Sequence, residues 1–194
     1  TDHAAGETIT GGDGDDVINF TSELGQTLVL SANVTGVETI AIATSAGGGT
    51  AGTTNESINA SALTYGVTLV AGAGTHTLTG TAFADTFDGT ANGTNTFVVG
   101  TGDTILGSTA ADTIEVAATT VFNAAQIDDV ETAELASGVS LTVDYTDVDS
   151  AGAGNLLLTV TGVDDAATET LIVTGGNTGA AVAAQDFSGL ALTD

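Results

Sequence analysis

A frame of nine residues constrains this chain more than any other feature. From Gly80 the sequence runs GTAFADTFD, GTANGTNTF, VVGTGDTIL and GSTAADTIE. Position 6 of these units is Asp85, Thr94, Asp103 and Asp112, position 8 is Phe87, Thr96, Ile105 and Ile114, and position 5 is always Ala or Gly. One step upstream His76 and Leu78 take positions 6 and 8, and near the N-terminus Glu7 and Ile9 do the same. A unit with a small residue at 5, a polar one at 6 and an apolar one at 8 reads as a tight turn followed by a short strand whose apolar residue points inward. One such unit can bury nothing alone, so a stack of coils sharing a ladder of position-8 side chains is the expected fold.

Composition agrees with an all-β stack. Thr and Gly abound and the apolar set is mostly Ala, Val, Leu and Ile, with six Phe, two Tyr and no Trp among 194 residues, a palette suited to narrow β cores. The 25 acidic side chains face no Lys or Arg, giving a formal charge of −25. Such one-sided acidity often accompanies disorder, but 42% hydrophobic residues and a mean hydropathy of +0.32 supply a core. Lacking cations, the surface repels nucleic acid and anionic lipid, and no apolar run reaches the roughly 20 residues of a membrane span, so neither nucleic-acid binding nor membrane insertion is expected. Without Cys, Lys or Arg there are no disulfides, thiolate sites or arginine clamps. The chain opens on TDHAAGETIT, which has neither an initiating Met nor the character of a signal peptide, and reads as a piece of a longer product.

Three segments are expected. Residues 1–61 hold GGDGDDVIN (Gly11 to Asn19) and a glycine-rich loop from Ala46 to Ser57, residues 62–116 carry the degenerate nonapeptides, and residues 117–194 are a β-rich continuation. In the last, VSLTVDY, NLLLTVTGV and ETLIVTGG read as strands of longer coils or of a small β-sandwich. A longer echo links the halves: ANVTGVETI (Ala32 to Ile40) returns as AQIDDVETA (Ala125 to Ala133), each after a Gly-x4-Asp-x-Ile unit. His76 reads as an exposed turn residue, and the alternating threonines of THTLTGT as an array that does not recur in register.

The stretch GGDGDDVIN satisfies the repeats-in-toxin (RTX) nonapeptide G-G-x-G-x-D-x-U-x in full, a calcium-binding repeat. GTAFADTFD, GSTAADTIE and the V-E-T phrases resemble worn repeats of bacterial surface-layer and large secreted RTX-type proteins. The resemblance implies a right-handed parallel β-solenoid, of β-roll or β-helix type, with two nonapeptides per coil and calcium between turns. On this chain it makes Asp16 the position-6 ligand, with oxygens around Gly12, Asp13, Gly14 and Asp15 completing the shell, and places Asp85, Asp103 and Asp112 at the matching position of units that lack the double glycine. In such a coil Asp85 stacks on Asp103 at about 4.8 Å. Two carboxylates that close repel by roughly 1 kcal/mol in water and more at a protein-like dielectric, so a cation, a proton or outward splaying must relieve them. At an exposed turn, a cation or splaying is expected.

Catalysis is not expected. Acidic polysaccharides would need Lys or Arg to hold them, neutral glycans an aromatic platform, and triads more than two histidines. The functional expectation is a non-catalytic structural module of an extracellular assembly (surface layer, matrix fibre or adhesin stalk) that calcium folds and joins into homo-oligomers or polymers. The alternative is the calcium-dependent folding and secretion domain of a secreted protease or lipase.

Overall fold

A computed structural model describes residues 7–21, 25–42, 55–123, 126–144, 159–163, 167–174 and the strand at 191–193. None of these is helical, so no helix among them is long and apolar enough to cross a membrane. Every strand pairing among them is parallel. An eight-stranded sheet runs in the order β3 (Thr27–Val29), β6 (Ser57–Asn59), β8 (Thr75–Thr79), β10 (Thr94–Val99), β12 (Thr113–Val116), β15 (Thr132–Leu135), β17 (Thr159–Thr161), β19 (Ala191–Thr193). A six-stranded sheet runs β2 (Val17–Phe20), β5 (Thr39–Ile42), β7 (Thr68–Val70), β9 (Thr86–Asp88), β11 (Thr104–Leu106), β14 (Ile127–Asp128). Two smaller sheets pair β1 (Ile9–Thr10) with β4 (Val34–Thr35), and β13 (Thr120–Val121) with β16 (Ser140–Asp144) and β18 (Thr170–Thr174). Chain order alternates between the sheets, so the architecture is a β-solenoid-like stack.

The register explains the frame of nine. In the six-stranded sheet Thr68, Thr86 and Thr104 stack in equal steps of two nonapeptides, and Leu69, Phe87 and Ile105 stack beside them facing inward. The other ladder is Leu28, Ile58, Leu78, Phe97, Ile114, Ala133 and Val160, all buried. The sheets meet at Phe87 and Phe97, whose rings lie 5.6 Å apart at 58°. Each fully buried Leu, Ile or Phe contributes about 1.5–3 kcal/mol, so the ladders hold the stack together.

The nine-residue frame slips at β10 and recovers at β12, where the step from Thr96 to Thr113 is one position short of two nonapeptides. The step from Thr77 to Thr96 is longer than two nonapeptides by a single position, which puts Asn95 rather than Thr94 at the inward polar place and Phe97 rather than Thr96 in the core. The alternating threonine array of THTLTGT does not recur as a whole, since Thr79 faces Asn59 and Val98, but one of its positions does: Thr27, Ser57, Thr77, Thr96, Thr113, Thr132 and Thr159 form one column. A strict two-residue strand alternation at each coil produces that column wherever a polar β-branched residue follows the inward one.

Pairing crosses both expected segment borders, through β5 with β7, β6 with β8 and β12 with β15. The three strands read in residues 117–194 appear as β16, β17 and β18, and β17 extends the eight-stranded sheet. The glycine-rich loop lies outside the described residues as far as residue 54.

Candidate functional site

The residues that start the strands form two columns, exposed at Gln26 and Glu38, half-buried at Asp16 and Glu131, and turned inward in the middle coils. Before the eight-stranded sheet the column is Gln26, Glu56, His76, Asn95, Asp112 and Glu131, and before the six-stranded sheet it is Asp16, Glu38, Val67, Asp85 and Asp103. Glu56, His76, Asp85, Asn95, Asp103 and Asp112 are buried. The expectations that His76 is exposed and that Asp85 and Asp103 sit at open turns are therefore corrected. The reason is the backbone: where the chain turns into a strand, an N–H of the preceding coil needs an acceptor, and a buried N–H left alone costs about 1–3 kcal/mol.

The carboxylates supply those acceptors. Val67 N–H donates to Asp85 Oδ1 (2.8 Å), Asp85 N–H to Asp103 Oδ1 (2.9 Å), and Asn95 N–H to Asp112 Oδ1 (2.7 Å). Asp112 N–H in turn donates to Glu131 Oε2 (2.7 Å), and Asp16 N–H to Glu38 Oε2 (2.8 Å). An amide thus stands between Asp85 and Asp103 and relieves their repulsion without splaying. The second oxygens are also held. Thr81 N–H reaches Asp85 Oδ2 (2.6 Å), Gly100 N–H reaches Asp103 Oδ2 (2.7 Å) and Ser108 N–H reaches Asp112 Oδ2 (2.7 Å). The Thr81 and Ser108 hydroxyls add bonds of 3.1 Å to Asp85 and Asp112. Burial raises the pKa of Asp85, Asp112 and Glu131 and pushes Asp103 up to about 6, the bonding amides opposing it.

His76 joins the same column by another route. Gly74 N–H donates to its Nε2 (3.0 Å), and its Nδ1 lies 3.0 Å from Glu56 O and 3.9 Å from Glu56 Oε2. With Nε2 accepting, the proton sits on Nδ1 and the imidazole acts as a turn-filling donor and acceptor. No signal in the sequence separates this histidine from an exposed one except its place in the nine-residue frame.

The first copy of the turn differs from the others. Gly12 and Gly14 have φ of +117° and +120°, conformations that favour glycine, with Asp13 and Asp15 exposed between and after them. Asp16 is half-buried, and its Oδ2 is buried without a hydrogen-bond partner. Gly11 packs so closely on the following coil that a β-carbon would collide with Gly36 O. A buried carboxylate oxygen without a donor, beside a turn rich in hard oxygens and in a chain without Lys or Arg, fits a calcium ion in chemistry. Among the described residues no three Asp, Glu or His side chains converge as a metal-holding group. A cation at this turn would therefore have Asp16 as its side-chain ligand and would need backbone carbonyls and water for the rest of its shell.

The ANVTGVETI and AQIDDVETA echo is a true structural repeat. Gly11 N–H bonds Thr35 O (2.9 Å) as Gly107 N–H bonds Asp128 O (2.7 Å), and the amides after Val37 and Val130 return to Asp16 O and Asp112 O at 3.2 Å. Gly36 and Asp129 share a positive φ, +60° and +50°. One clasp fastens β2 to β5 and the other β12 to β15, so the echo appears once in each sheet. Comparison with protein-family models, curated proteins and solved structures gives no match.

Proposed function

We propose that this chain is a non-catalytic structural module of an extracellular bacterial assembly, a surface layer, matrix fibre or adhesin stalk, and that calcium at the first coil promotes its folding and self-association. The observation that carries this reading is the open-ended stack. Among the described residues the long sheets start at β2 and β3 and finish at β14 and β19, so the strands at those ends are edges that another parallel strand can extend. A second copy is the partner of matching shape, and the formal charge of −25 opposes its approach until cations intervene. The coil is right-handed on the general preference of parallel crossovers. The orphaned Asp16 Oδ2 supports an RTX-type calcium turn at Gly12 to Asp16, where the ion would tie the turn to the strand it starts. The other predicted ligands, Asp85, Asp103 and Asp112, are engaged by amides on both oxygens, which supports a structural role.

Light scattering and sedimentation in millimolar calcium, against sodium chloride at matched ionic strength, test this. Calcium bridges carboxylates whereas sodium only screens them, so oligomers or filaments should form with calcium alone. A protein that gains β structure with calcium yet stays monomeric at high concentration supports instead the folding domain of a secreted enzyme, for which the same turn would serve.

A further inference from the structure

The turns at Asp16, Asp85 and Asp112 are one design in two versions. Gly11-Gly12-Asp13-Gly14-Asp15-Asp16 leaves a buried carboxylate oxygen open, whereas Gly80-Thr81-Ala82-Phe83-Ala84-Asp85 and Gly107-Ser108-Thr109-Ala110-Ala111-Asp112 fill it. In the second version the residue after the glycine donates both its N–H and its hydroxyl to the carboxylate, and the hydroxyl also caps the turn. Thr81 Oγ accepts from Phe83 N–H (2.9 Å) and Ser108 Oγ from Ala110 N–H (3.1 Å). In the first version that residue is Gly12, which has no hydroxyl, and its φ of +117° is one that Ser and Thr rarely adopt.

We infer that Thr81 and Ser108 act as internal substitutes for the cation, making the coils of residues 62–116 independent of calcium and confining the calcium response to the coil that carries Asp16. Three N–H and O–H donors take up three of the roughly four lone-pair sites on each of Asp85 and Asp112, and a cation would have to displace them to gather a carboxylate ligand there. The degenerate repeats are then a metal-free version of the turn rather than damaged calcium sites. This inference rests on the calcium reading for the first coil, while the role of the two hydroxyls stands without it. The consequence is a stack whose middle is always formed and whose first coil, which supplies the edge strands β2 and β3, is set by the ion.

Hydrogen exchange followed by mass spectrometry, in EDTA and in calcium, tests the confinement on the intact chain. With free calcium at ten times its dissociation constant, peptides covering residues 9–40 should gain about tenfold protection while those covering 62–116 change less than about twofold. Equal gains in both regions overturn the inference. Gains in neither overturn the calcium reading and the confinement together. The paired variant Thr81→Ala and Ser108→Ala decides the hydroxyl role separately: in EDTA its melting temperature should fall by about 2–4 °C per lost bond, and calcium should not restore it. A melting curve unchanged in EDTA, or one that calcium restores, overturns the substitution.

Discussion

At the scale of single residues, the chain solves an electrostatic problem without a cationic side chain. Asp103 is fully buried, and burial raises its pKa from 3.8 to about 6. The folded state therefore holds a proton that the unfolded state releases between those values, so stability falls as pH rises through this window and is regained on acidification. One such group is worth about 1.4 kcal/mol per pH unit, roughly 3 kcal/mol across the window. Asp85, Asp112 and Glu131 shift in the same direction. In EDTA the protein should melt at higher temperature near pH 5 than near pH 7.5, opposite to ordinary acid denaturation, and Asp103→Asn should flatten that dependence. A melting temperature that falls steadily from pH 7.5 to 5 would show that the buried carboxylates are not the controlling groups. Asp16 differs from Asp112 in its open oxygen, so titration calorimetry should find calcium affinity reduced at least about tenfold by Asp16→Asn, equivalent to about 1.4 kcal/mol, and nearly unchanged by Asp112→Asn. Equal losses would contradict the distinction.

At the scale of elements, a strand here is too short to be stable alone, and the clasps between coils fix where it lies. The Gly107 clasp brings two backbones together so closely that a β-carbon would collide with Asp129 O. Gly107→Ala should therefore cost about 1–3 kcal/mol, the usual penalty of overpacking, and lower the melting temperature by about 2–4 °C per kcal/mol. An unchanged melting temperature would mean that the clasp opens without loss. The inward positions of Phe87, Ile105 and Ile114 were legible in the sequence because side-chain alternation is local, and the stacking of Asp85 on Asp103 because their spacing of two nonapeptides matches the coil. The buried settings of His76 and Asn95 were not legible. Whether a polar residue at a strand start turns inward depends on an amide in the neighbouring coil, such as Asn95 N–H for Asp112, and one extra residue before Asn95 shifted the frame by which that amide could be located. Asp16 and Asp112 share a motif position and differ in sequence by the double glycine, but that one oxygen is open and the other filled is read from the donors around them.

At the scale of the whole molecule, each coil contacts chiefly its two neighbours, so stability should behave as a sum over coils and interfaces rather than as the property of one centre. The equal steps of the six-stranded sheet in the middle of the stack make this testable by removing a coil. Deleting residues 86–103 joins Asp85 to Thr104, so that an apolar residue, Ile105, again stands two positions after the carboxylate. Thr68 then faces Thr104 in one sheet, and Thr77 faces Thr113 in the other, each in the register that its present neighbour occupies. His76 N–H takes the place of Asn95 N–H below Asp112, and the two Phe rings leave together. Deleting residues 86–98 instead places Val99 and Gly100 after Asp85, which empties the inward position and breaks both ladders. The longer deletion should keep its parallel-sheet circular dichroism and a single cooperative melt, at a lower temperature because one interface is gone. The shorter one should lose both. If the longer deletion unfolds while the shorter one survives, the coil of two strands and two nonapeptides is not the unit that holds this molecule together.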